Sequence, residues 1–114
     1  MTTEIHAQSL LRAMYNHIGE AAGVSCRDLA IEIQGYSNSA AERRIRGAIK
    51  DLRTEGYHVC GTPETGYFMA KTAEELDRTC RFLVSRAEAS LSQVANMKRM
   101  SMPDLHGQFR LNPL

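Results

Sequence analysis

Arg43, Arg44, Arg46, Lys50 and Arg53 crowd into one short stretch, interleaved with Ala41, Ile45, Ala48, Ile49 and Leu52. Wound as a helix at about 100° per residue, the apolar set gathers on one side. Ser39, Arg43, Arg46, Gly47 and Lys50 gather on the other, with Arg44 and Arg53 on the flanks. Cations held outward in this way neutralise phosphate oxygens, and an arginine can address guanine through two parallel hydrogen bonds. Ser39 or Asn38, at the start of the same helix, can add a phosphate contact. The plain alternative is a solvated surface, since exposed helix positions are commonly basic. Gly47 has two readings as well. A helix-interior glycine costs about 0.8–1 kcal/mol relative to Ala, so it either admits a second backbone closely or is merely tolerated.

No comparable constellation supports catalysis. His6, His17, His58 and His106 are scattered, with no acidic or nucleophilic partner at a readable spacing. Cys26, Cys60 and Cys80 form an odd, widely spaced set without a CxxC pair, which is neither a disulfide nor a zinc framework. His58 and Cys60 would share one face of a strand, but two ligands do not hold a structural zinc. We therefore expect no enzyme, no cofactor and no metal, with the cysteines filling core space in a reducing cytoplasm. No apolar run reaches the roughly 18 residues of a membrane span, and the N-terminus lacks the blocks of a signal peptide.

The chain has 114 residues and a formal net charge of +1. That total hides a division. Residues 1–36 and 59–78 each sum to −2, whereas 37–58 sum to +2 and 79–114 to +3. A local basic face is what phosphate neutralisation requires, and total charge is the weaker guide.

The elements that must position this face follow from periodicity and punctuation. Ile5, Leu10, Leu11, Met14, Tyr15 and Ile18 recur at helical spacing and predict a first helix over about residues 3–18. Ser25 and Asp28 open a second helix, whose buried side is Leu29, Ala30 and Ile33 and whose end is Gly35. Tyr36, in the turn that follows, can donate to a phosphate, but is expected instead to pack its ring on that helix. Ser39 and Glu42 predict a capping box at the start of the third helix, and Gly56 ends it. Residues 57–60 and 67–69 read as two strands around the turn-rich Gly61–Gly66 segment. Such a hairpin is marginal alone, so Tyr67 or Met69 should lean on the helices. Thr72 and Glu75 cap a last helix of about 25–30 residues, long against a mean of about 11–12. Its apolar stripe is Leu76, Cys80, Leu83, Ala87, Leu91 and Val94; the first half can pack on the preceding elements, but the second half extends beyond so small a body and needs another surface.

The run Ile45, Ile49, Leu52-Arg53, Gly56, Val59, Pro63 and Gly66-Tyr67 resembles the N-terminal winged-helix domain of biotin-operon repressors and the wider group of winged-helix regulators, over roughly residues 5–70. A looser resemblance spans nearly the whole chain. It is to small phage- and prophage-encoded proteins in which such a domain precedes a long helix and a short tail. The resemblance implies sequence reading by the outer positions of the third helix and phosphate contact by the hairpin, or wing. The wing departs from that pattern, offering Glu64 and no Arg or Lys between Tyr57 and Ala70. No biotin-ligase domain follows, so that activity is not implied.

Together these readings predict an α+β, mostly helical protein. A winged helix-turn-helix occupies residues 1–71, a long oligomerisation helix 72–100, and an irregular tail 101–114. The expected function is sequence-specific binding of double-stranded DNA through Ser39, Arg43, Arg44, Arg46, Lys50 and Arg53, as a cytoplasmic phage or prophage regulator of transcription. Homodimerisation through the Leu76–Val94 stripe and no membrane association are expected. The alternative is a phage replication or packaging adaptor that uses the winged helix as a protein-interaction module, which the acidic wing and apolar tail favour.

Overall fold

The structure, a computed structural model, describes residues 4–98. The tail expected over 101–114 lies outside them. The elements run α1 (Ala7–Met14), a 3-10 turn (Glu20–Ala22), α2 (Cys26–Gln34), α3 (Ser39–Thr54), β1 (Val59–Thr62), β2 (Gly66–Met69) and α4 (Ala73–Lys98). The class is α+β and mostly helical, as expected, with four α-helices and a two-stranded antiparallel sheet among the described residues. Two units are distinguished, Met1–Thr79 and Cys80–Leu114.

In the first unit, α3 buries Ala41, Ile45, Ala48, Ile49 and Leu52, the side that periodicity assigned to the core. Leu10 and Met14 of α1, Leu29 and Ala30 of α2, and Val59 of β1 join them in one cluster. Each fully buried Ile or Leu contributes roughly 1.5–3 kcal/mol. Rolling α3 to hide an arginine would forfeit several of these contributions and desolvate a charge. The roll of the helix is thereby set.

Two helix starts differ from expectation. α1 is shorter than residues 3–18 because His6 caps it: the Ser9 N–H donates to His6 Nδ1 (3.3 Å) and the His6 N–H to Ser9 Oγ (3.0 Å). After Tyr15 the chain leaves the helix for β2, where the Met69 N–H donates to the His17 carbonyl and the Gly19 N–H to the Met69 carbonyl, both at 2.8 Å. Tyr15 and Ile18 consequently lie exposed rather than buried. α3 is capped by Asn38, whose Oδ1 accepts from the Ala41 N–H at 2.8 Å, and not by Ser39, which is the first helical residue. Asn38 holds the extended conformation a cap requires, and its side chain reaches the free amide first. α2 behaves as read. Ser25 caps it, and Gly35 closes it in the left-handed region at φ 91°.

The hairpin is used on both faces. Pairing Val59 with Met69 and Cys60 with Phe68 puts alternate residues on opposite sides. Tyr67 and Met69 lean on the helical core, as expected, beside Val59. Cys60 and Phe68 face the other way and are also buried. The start of α4 meets that side: the Cys60 thiol donates to the Glu75 carbonyl (3.7 Å), and the Gly61 N–H to the Thr79 hydroxyl (3.2 Å). Beyond β2, Val24 and Tyr67 exchange both backbone bonds, at 2.9 and 2.7 Å. That bridge brings Gly23 so close to the turn that a Cβ there would sit 1.9 Å from the Thr65 carbonyl oxygen.

α4 starts as the Thr72–Glu75 pairing predicts, with the Glu75 N–H donating to the Thr72 hydroxyl at 3.1 Å. The Glu75 carboxylate then does more than cap. It accepts from the backbone N–H groups of Lys71 (2.7 Å) and Glu20 (3.0 Å), tying the 3-10 turn to the helix start. The amides of Glu20 and Lys71, in that order, hold its carboxyl below the ordinary 4.5, and Arg78 adds a smaller push in the same direction.

Two outcomes follow for stability. Gly23→Ala should lower the unfolding free energy by at least about 1–3 kcal/mol in urea melts, since the obstructing atom is backbone. For Glu75, a depressed native pKa stabilises the fold above its unfolded value of 4.5 and ceases to do so as pH falls through the lower native value. The Tm of Glu75→Gln should therefore fall less steeply than that of the wild type on acidification below 4.5.

Candidate nucleic-acid interface

The open side of α3 carries Ser39, Arg43, Arg44, Arg46, Gly47 and Lys50, all exposed. None of Arg43, Arg44, Arg46 and Lys50 forms an ion pair with another of the described residues. The nearest carboxylates on the helix are otherwise disposed. Glu42, half-buried, accepts from the Ser37 hydroxyl at 3.3 Å, and Asp51 is directed to solvent. These four cations lie on a single helix, and no described residue forms an ion pair with them.

Arg46 is the one of the four that is steered. Its Nη1 lies 3.9 Å from Cys26 Sγ, while the Cys26 thiol donates to the Glu42 carbonyl at 3.3 Å. Burial pushes the Cys26 thiol up, only partly offset by the Arg46 charge, so the neutral thiol is the form that meets the guanidinium. The contact draws Arg46 toward the start of α2, leaving Arg43 and Lys50 nearer the middle of the face.

Arg53 serves a different purpose from its neighbours. It is half-buried, and its Nε donates to the Val59 carbonyl at 2.8 Å, joining the end of α3 to β1. Tyr36 also departs from expectation. It is 55% exposed instead of packed on α2, which places a phenol in the turn just before α3. Its carbonyl, not its ring, is held, by Gln34 Nε2 at 3.1 Å.

The hairpin side has the opposite charge. Glu20, Glu64 and Glu75 line a cleft of about 420 Å³ together with Thr62, Phe68 and Arg78. The Arg78 guanidinium meets Glu20 at 3.1 Å. Sequence spacing hid one further pair: His17 Nε2 lies 2.7 Å from Glu32, and Nδ1 lies 3.0 Å from the Ala22 carbonyl. The two residues are fifteen apart and meet only because the loop after α1 folds back on α2. Among the described residues, no group of three or more His, Cys, Asp or Glu is placed to hold a metal ion. None of the described helices is long and apolar enough to cross a membrane.

In the second unit, the expected stripe has Cys80, Leu83 and Ala87 exposed and Leu91 and Val94 half-buried. Leu76, its first member, belongs to the first unit and is half-buried. Val84 and Met97 add exposed apolar surface, at 57% and 83%.

No family model, curated protein or solved structure matches the chain.

The different surroundings of Arg53 and Arg43 separate by measurement. Arg53→Ala removes a charged donor from a backbone carbonyl and should cost about 1–3 kcal/mol in urea melts. Arg43→Ala, at a solvated position, should stay within about 0.5 kcal/mol of the wild type.

Proposed function

We propose that this chain binds double-stranded DNA in a sequence-specific manner, with α3 entering the major groove. One observation carries the reading: four cations on the solvent side of a helix whose other side is locked into the core, with no acidic partner among the described residues. A major groove about 12 Å wide accepts a helix of about 10–12 Å diameter. Arg43 and Lys50 would face bases or phosphates from the centre of the helix. Arg44, Arg46, Ser39 and the remaining guanidinium nitrogens of Arg53 would supply backbone contacts.

The order of elements supports a winged helix-turn-helix. α2 and α3 are joined by the four-residue turn 35–38, the segment between α1 and α2 bridges to β2, and the hairpin follows α3 directly. Transcriptional regulation is the use of such a module that we favour, in a phage or prophage setting. Exposed apolar residues on α4 support a homodimer, in which case half-sites would lie about 34–36 Å apart or at a multiple of that spacing. A replication or packaging adaptor is the second reading, favoured by the acidic cleft beside the hairpin, which would repel phosphate.

Anisotropy titration of a random-sequence duplex pool tests the proposal. Neutralising about four phosphates gives a salt slope near −3.6, so affinity should fall on the order of 100-fold between about 50 and 200 mM salt. Arg43→Ala should weaken binding and reduce that slope by about 1. Unchanged affinity in the variant, or no duplex binding by the wild type at low salt, would overturn the reading in favour of the adaptor.

A further inference from the structure

Gly47 occupies the ninth position of the sixteen-residue α3, at the centre of its open face. Nothing in the fold asks for a glycine there. Its backbone is helical and outside the positive-φ set, and a Cβ added to it would meet no atom within 4 Å. Gly23 differs sharply, since its Cβ would strike a carbonyl oxygen. A helix-interior glycine weakens the helix relative to alanine. At Gly47 that loss is unopposed by any contact among the described residues.

The surroundings show what gains from the missing side chain. On a helix surface the neighbours of position 47 are those three and four residues away, Arg43, Arg44, Lys50 and Asp51. Three of the four are cations, so a patch of bare backbone is framed by positive charge. A helix nearly as wide as the groove reaches its floor only where its own side chains are short. Long side chains at the frame and none at the centre suit a concave polyanion better than a flat one.

We propose that Gly47 is the point at which α3 approaches the floor of the DNA major groove most closely, while Arg43 and Lys50 reach past it to the groove walls. The inference rests on the DNA-binding reading and adds a steric determinant to an electrostatic one. An added methyl group at position 47 holds the whole helix away from the base edges without altering its charge.

The test is Gly47→Ala, with Gly47→Gln as a longer neutral side chain, in the full-length protein. Thermal melts should show Gly47→Ala more stable than the wild type, with Tm raised by about 4–8 °C. Titration with duplex selected by the wild type from a random pool should show affinity reduced at least about tenfold for Ala and further for Gln. The salt slope should stay unchanged, because no phosphate contact is lost. If the Ala variant is stabilised yet binds that duplex within about twofold of the wild type, the assignment of Gly47 is overturned and the DNA reading stands. If the Ala variant is less stable than the wild type, Gly47 serves the fold and the assignment is likewise overturned. If the wild type selects and binds no duplex, the DNA reading fails and takes this inference with it.

Discussion

The burial of Ala41, Ile45, Ala48, Ile49 and Leu52 on one side of α3 is the constraint from which the rest of the structure follows. These five residues face α1, α2 and β1 at once, so the helix can neither roll nor slide without opening the core. Its other side is defined by exclusion. Arg43, Arg44, Arg46 and Lys50 lie outward because each of the positions opposite is taken by a side chain that water rejects. No specific contact has to hold Arg43 or Lys50 in place; the apolar face does that for them.

The hairpin shows the same economy. Its two buried faces are served by different partners, Val59, Tyr67 and Met69 by the helical core and Cys60 by the first turns of α4. The outer edge of β1 would otherwise be an unpaired ladder open to another chain. The Arg53 guanidinium takes the Val59 carbonyl and the Thr79 hydroxyl takes the Gly61 amide, which blunts that edge from both ends. Together these contacts place the boundary of the first unit after Thr79 and make the beginning of α4 part of its fold.

Charge is distributed to match. The helix that the core presents to solvent is basic, and the hairpin side is acidic, with Glu75 held ionised by two backbone amides. Like charges on both surfaces would favour wrapping by a long polyanion. Opposite charges favour an encounter through α3 alone. This agrees with the absence of Arg and Lys between Tyr57 and Ala70, and under the proposed DNA-binding function it would make the helix rather than the hairpin the part on which binding depends.

The order and type of the elements, the buried and open sides of α3, the end of α2 at Gly35 and the start of α4 at Thr72 were legible in the linear chain. All of these are local: a helical period, a cap or a glycine acts within a few residues of itself, so the linear chain displays it. Tertiary structure decided the rest. The early end of α1, the pairing of His17 with Glu32, the exposure of Tyr36 and the tether from Arg53 to Val59 each depend on where a distant or separately folded segment comes to rest. Asn38 displaced Ser39 as the cap because backbone conformation, not residue type, chooses between adjacent candidates. A side chain's neighbours in space are set by the packing of whole elements, and periodicity records only which way it points.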